Sequence, residues 1–294
     1  MPGNIFNILK KNNINKNDIE YIKSLNSVKI TDQYGNTPLI YAASKGYINI
    51  IEILLQKDVN IDAKNNDGNT ALIIASMNNS FDIVLKLVKR GANLDLKNKY
   101  GNTALIIASM NNRSDIVLKL VKSGANLDLQ NNDGNTALII ASMYDSFDIV
   151  QKLVEWGANL DFQNNYGNTA LMKAIEYDNI NITDLLLTEG ANIKITDIYG
   201  KTTSNFIKNR IIEISKYNKP DKKAEYEILL KKLSNKPKPK SLLSNIFLGK
   251  RGGKKNNLKN HTLSELKSMC RENKLKNYSN LNKDDLVKML KKGK

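Results

Sequence analysis

Six glycines, Gly35, Gly68, Gly101, Gly134, Gly167 and Gly200, stand 33 residues apart without a slip. Each opens a near-copy of one phrase: Gly68-Asn69-Thr70-Ala71-Leu72-Ile73-Ile74-Ala75, then Asp82-Ile83-Val84, then Gly91-Ala92-Asn93. A fixed period of about 33 residues marks an array of helical repeats, which grows by adding units rather than by enlarging one core. Such an array offers a long modular surface and little with which to do chemistry.

Each unit reads as turn, helix, short turn, helix, long loop. Thr70, Thr103, Thr136 and Thr169 open the first helix, where a hydroxyl can accept an unpaired first-turn amide. In the first unit Thr37 is followed by Pro38, suited to the first helical position. Leu72, Ile73 and Ala75 give that helix an apolar stripe, and Ile83, Val84, Leu87 and Val88 give one to the second. The link between helices carries Gly46, Asn79, Asn112, Asp145 and Asp178, and the end of the second carries Asp58, Gly91, Gly124, Gly157 and Gly190. These are the residue types that tolerate left-handed backbone. Asn36, Asn69, Asn102, Asn135 and Asn168, before each Thr, read as turn formers bonding their own backbone rather than as a recognition ladder.

Thr37-Pro38-Leu39-Ile40-Tyr41-Ala42 and Thr70-Ala71-Leu72-Ile73-Ile74-Ala75 resemble the ankyrin T-P-L-H-x-A motif, and Gly91-Ala92-Asn93-Leu94-Asp95 resembles the ankyrin loop after the second helix. The resemblance covers residues 31–200 in five units near 31–63, 64–96, 97–129, 130–162 and 163–195. It implies an all-α ankyrin-repeat solenoid. Ile or Met replaces the usual histidine at Ile40, Ile73, Ile106, Ile139 and Met172, and alanine replaces proline in four units, so units weaker than consensus are expected. Residues 1–30 (Ile5, Phe6, Ile8, Leu9, then Ile19, Tyr21, Ile22, Leu25) read as a degenerate N-terminal capping repeat. Helices near 203–216 and 221–234 are expected to close the stack, within a C-terminal cap at 201–234 whose exterior is charged by Lys208, Arg210, Lys216, Lys222, Lys223, Lys231 and Lys232. Arrays this rich in Asn, Ile and Lys resemble those numerous in large DNA viruses and intracellular microbes.

Composition narrows the chemistry. One cysteine, Cys270, and one histidine, His261, cannot build a closed zinc site or an intrachain disulfide. They leave almost nothing for a nucleophile–base pair, so neither enzyme nor cofactor is expected. No apolar run approaches the roughly 18 residues of a membrane span, and no signal peptide is legible. An intracellular monomer is expected, in cytoplasm or nucleus, the choice being open.

What the ankyrin resemblance implies is protein binding through turn tips and the concave face of the first helices. By register the candidates are Tyr34, Lys45, Asp67, Met77, Asn78, Tyr100, Met110, Asn111, Asp133, Met143, Tyr144, Tyr166, Glu176 and Tyr177. The methionines edged by tyrosines form an adaptable apolar patch, or else pack between neighbouring repeats.

The net charge of +16 is confined to one end: residues 1–200 carry 19 Lys/Arg against 21 Asp/Glu, and residues 201–294 carry 26 against 8. A basic block of this kind suits nucleic acid or another anionic surface, or simply stays solvated. Residues 235–260 read as a flexible basic linker with an apolar island, Leu242-Leu243 and Ile246-Phe247-Leu248, that fits a docking motif, a membrane-surface anchor or a segment packed on the cap. Thr262 with Glu265 makes a capping box, and the helix–extended loop–helix of residues 261–294 resembles SAP domains and the N-terminal module of Rho transcription terminators. The resemblance implies DNA or RNA as partner of residues 236–294, with Lys250, Arg251, Lys254, Lys255, Lys267, Arg271, Lys274, Lys276, Tyr278 and Lys283 as contacts. The chain is thus expected to be a non-enzymatic protein-interaction scaffold with a nucleic-acid-recruiting tail. The alternative is a pure adaptor whose basic tail binds an acidic partner or nothing.

Overall fold

The structure is a computed structural model and describes residues 5–11, 13–25, 27–217 and 220–234. Its helices are α1 (Ile5–Leu9), α2 (Lys16–Ser24), α3 (Pro38–Lys45), α4 (Ile48–Leu54), α5 (Ala71–Met77), α6 (Phe81–Lys89) and α7 (Ala104–Met110). They continue with α8 (Ser114–Lys122), α9 (Ala137–Met143), α10 (Phe147–Glu155), α11 (Ala170–Glu176), α12 (Ile180–Thr188), α13 (Thr203–Lys216) and α14 (Pro220–Ser234). Among the described residues the only β interaction is an isolated bridge between Thr196 and Thr202, so the described fold is all-α.

The first helices begin where the threonines stand. The hydroxyls of Thr37, Thr70, Thr103, Thr136 and Thr169 accept the amides of Ile40, Ile73, Ile106, Ile139 and Met172 at 3.2–3.3 Å. They end at left-handed links: Gly46, Asn79, Asn112, Asp145 and Asp178 all have φ between 54° and 75°. The next amide then bonds five residues back, as Ser80 N to Ala75 O (2.9 Å) and Arg113 N to Ala108 O (2.8 Å), which satisfies an orphan carbonyl of the helix end. Gly91, Gly124, Gly157 and Gly190 terminate the second helices in the same way.

Asp58 departs from this pattern. It is absent from the left-handed residues because α4 stops at Leu54, two residues short of the other second helices in their register. Val59 N bonds Lys57 O at 2.9 Å, where Ala92 N, its equivalent, bonds Leu87 O at 3.1 Å. Lys57 instead reaches across to the carbonyls of Lys23 and Leu25.

The chain packs as two units, Met1–Ile149 with Gln163–Asn165, and Val150–Phe162 with Tyr166 onward. In the first unit α3, α5, α7 and α9 pack in sequence, with α1 against α3, and α4, α6 and α8 pack behind them. Ile5, Phe6, Ile8 and Leu9 of α1 are buried, whereas of the four apolar residues expected in the next stretch only Ile22 is fully buried. In the second unit α11 packs on α12 and α13, and α14 on α13. Tyr226 of α14 is fully buried there.

Neighbouring repeats are joined by a second set of bonds. Tip amides donate to the preceding tip: Asn66 N to Tyr34 O (3.0 Å), Lys99 N to Asp67 O (2.9 Å) and Asn132 N to Tyr100 O (3.0 Å) in the first unit. The expectation that Asn36, Asn69, Asn102 and Asn135 bond their own backbone is corrected. That role belongs to the residue four places earlier: Asn65 Oδ1 accepts the amides of Asp67 (3.0 Å) and Asn69 (2.9 Å), and Asn98 and Asn131 do the same. This leaves the amide group of Asn65, Asn98, Asn131 and Asn164 free to donate to Asn36, Asn69, Asn102 and Asn135 of the preceding repeat, at 2.9–3.0 Å. A largely buried asparagine ladder therefore stitches the repeats together.

Candidate protein-binding groove

The tips and first helices of the first unit enclose an open groove of about 590 Å³. Tyr34, Asp67 and Tyr100 reach it from successive tips, Met77 and Met110 from the ends of α5 and α7. Ile74 and Ile107 stand one turn before those methionines, and the asparagine ladder forms the floor through Asn36, Asn69 and Asn102. The result is an apolar trough with an amide floor and aromatic rims.

Exposure separates these residues. Tyr34 and Tyr100 are about 60% exposed, Met77 is 37% exposed, and Met110 is half-buried. The methionines thus pack into the array on one side and meet solvent on the other. Asp67 is held at 2.5 Å by Lys99, whose ammonium also lies 5.0 Å from the Tyr100 ring centre. The bonds to Asp67 and Tyr100 raise the lysine's pKa above its ordinary value. The rim therefore carries a paired charge rather than a free one.

Of the other expected contacts, Lys45 lies over Tyr41, and the Asn78 and Asn111 amides donate to Ser44 O and Ile107 O, so both are engaged inside the array. Asp133 and Tyr144 are exposed and Met143 is half-buried, outside the groove lining. In the second unit Tyr166, Glu176 and Tyr177 are exposed, and Lys173 pairs with Glu176 at 2.8 Å and lies over Tyr177. Ile74 and Ile107 were missed by sequence reasoning, although Ile74 precedes Met77 by three residues, the spacing that shares a helix face.

The nucleic-acid candidates Lys250, Arg251, Lys254, Lys255, Lys267, Arg271, Lys274, Lys276, Tyr278 and Lys283 lie outside the described residues. Among the described residues no group of three or more His, Cys, Asp or Glu side chains is placed to hold a metal ion. No described helix is long and apolar enough to cross a membrane.

Comparison with known families agrees with this architecture. The family model for ankyrin repeats matches in three overlapping copies, residues 5–98, 61–131 and 105–197. The model for the N-terminal domain of Rho termination factor matches residues 257–293. No curated protein matches the chain. Threonine-capped helix pairs, left-handed links and bonded tips recur across the span of the ankyrin match. Ankyrin repeats are protein-interaction scaffolds and generally carry no catalysis, and the chain belongs to the ankyrin repeat family.

Proposed function

We propose that the chain is a non-enzymatic intracellular scaffold that holds a protein partner along its repeat tips and first helices and brings it to DNA or RNA through residues 236–294. The groove of the first unit carries this reading. Two exposed tyrosines face two methionines over a rim whose one close ion pair is internally satisfied. Aromatic anchors of that kind supply most of the energy of protein interfaces, and methionine adapts to the surface it meets. Asp133, Met143, Tyr144, Tyr166, Glu176 and Tyr177 extend the interaction surface. Residues 1–30 and 201–234 act as caps, 235–260 as a basic linker and 261–294 as the nucleic-acid module. The basic excess of residues 201–294 and the Rho-type match at 257–293 support the nucleic-acid end. A linker joining two modest interactions multiplies their strength through effective concentration.

The test is affinity capture with the full chain and with the Met77→Lys/Tyr100→Ala variant. A protein retained by the wild type and lost from the variant, with helicity unchanged, supports the reading. Identical retained sets would contradict it.

A further inference from the structure

The ladder fixes which way the asparagines on the groove floor point. Asn98 commits Oδ1 to two backbone amides, so its Nδ2 donates to Asn69 Oδ1 at 2.9 Å. Asn131 reaches Asn102 Oδ1 in the same way at 3.0 Å. Asn69 and Asn102 must therefore turn their own Nδ2 groups away from the ladder. At Asn36 that nitrogen donates to Asp32 Oδ2 at 3.0 Å. Asn65 and Asn98 stand where Asp32 does and lack the second oxygen, so among the described residues Asn69 Nδ2 and Asn102 Nδ2 donate to nothing. The two residues are only 8% and 7% exposed, yet neither nitrogen is sealed in, and each opens into the groove that its residue lines. A donor so placed is left to water unless a ligand brings an acceptor.

Charge complementarity and spacing select the ligand. The Lys99–Asp67 pair closes the rim's charge on itself, so the floor's two partial positive charges call for uncharged oxygen acceptors in an apolar segment. The donors repeat with the packed first helices α5 and α7, and helices in such contact lie about 8–10 Å apart. An α-helical ligand has its carbonyls already bonded within itself. A β-strand turns alternate carbonyls to one side about every 7 Å, out of step with the donors. A polyproline II segment has no internal hydrogen bonds, three residues per turn and a rise of about 3.1 Å, so its same-side carbonyls recur roughly every 9 Å. Aromatic-lined grooves suit its proline rings, and Tyr34 and Tyr100 line this one beside Met77 and Met110. Resting on the reading of this groove as the partner site, we infer that it takes a proline-rich, uncharged segment of the partner in the polyproline II conformation. Asn69 and Asn102 donate to carbonyls one turn apart, and the rings lie against the tyrosines and methionines.

The test selects binders of the full chain from a displayed library of random twelve-residue peptides, discarding those that also bind the Met77→Lys/Tyr100→Ala variant. The expected winners carry prolines at three-residue spacing. A synthetic winner, labelled and followed by fluorescence anisotropy, should bind about tenfold more weakly to Asn69→Asp and to Asn102→Asp. Each of these variants keeps the oxygen that serves the ladder and removes only the groove donor. Asn135→Asp makes the same change outside the groove lining and should leave the affinity unchanged. Groove-dependent winners without spaced prolines, or winners bound equally by the Asn69 and Asn102 variants, would overturn this inference while leaving the groove as a partner site. The absence of any groove-dependent winner would overturn both.

Discussion

Arg210 grips Asp178 through both carboxylate oxygens, Nε to Oδ1 at 2.7 Å and Nη2 to Oδ2 at 2.6 Å. The buried Tyr226 hydroxyl donates to the same Oδ1 at 3.0 Å, and Lys222 stands 3.4 Å from Oδ2. Asp178 is also the left-handed link between α11 and α12, with φ of 66°, so one residue fixes a turn and anchors α13 and α14 to it. The Arg210 bond, opposed by burial and aided by Tyr226, holds its pKa at about 2, below the ordinary 3.8.

A depressed carboxylate pKa contributes stability that is full above the unfolded value and lost as pH falls through the folded one. The Asp178 contribution should hold from neutrality to about pH 4 and drain away between there and about pH 2. Asp178→Asn keeps a residue that tolerates the left-handed link. At neutral pH it should cost about 1–2 kcal/mol, a figure discounted for the site's partial solvent access. Denaturant midpoints of both proteins across pH check this: the gap between them should close in acid.

Glycines with the same backbone angle should differ in cost. A Cβ on Gly68, at φ 75°, would meet Lys99 N at 2.9 Å, whereas one on Gly200, at φ 74°, meets nothing within 4 Å. Gly200→Ala should therefore cost only the left-handed strain, about 1–2 kcal/mol. Gly68→Ala adds a clash with the next repeat's backbone and should cost about 3 kcal/mol or more. Unfolding free energies of the two variants give the comparison.

The asparagine ladder makes a chemical prediction. Asn98→Asp keeps an oxygen to accept the amides of Tyr100 and Asn102 but loses the N–H that serves Asn69 Oδ1. Two buried acceptors then face each other, at a cost of about 1–3 kcal/mol. Asp197 already stands at this register position in the last turn, where it accepts from Tyr199 and Lys201. Asp197→Asn should thus be close to neutral by the same thermal or urea denaturation.

Tyr34 and Tyr100 are exposed and close no core, so their alanine variants should change unfolding free energy by less than about 0.5 kcal/mol. Loss of a partner without loss of stability would assign them to recognition.

The parts of the fold legible in the sequence are those set by local chemistry. Threonine caps, Asn or Asp at left-handed links and the apolar stripes depend on residues a few places apart, and each recurs in register. The asparagine ladder joins side chains 29 residues apart, so the four asparagines that each have a backbone-bonding neighbour were assigned the wrong role. Asp58 failed because its type was right while α4 had already ended. Arg210 read as charged exterior and instead sits 26% exposed against Asp178, a pairing that only the packing of α13 reveals. In the groove the tyrosines and methionines were legible by repeat register, whereas the half-buried Ile74 and the buried Ile107 were not singled out.

The scaffold-and-recruiter account is tested most directly by fluorescence anisotropy of labelled DNA and RNA duplexes titrated with the full chain, from low to physiological salt. It predicts micromolar binding whose logarithm falls linearly with the logarithm of salt concentration, with a shallower slope when Lys250, Arg251, Lys254 and Lys255 are replaced by glutamine. No binding at low salt, or a slope indifferent to those four residues, would contradict it.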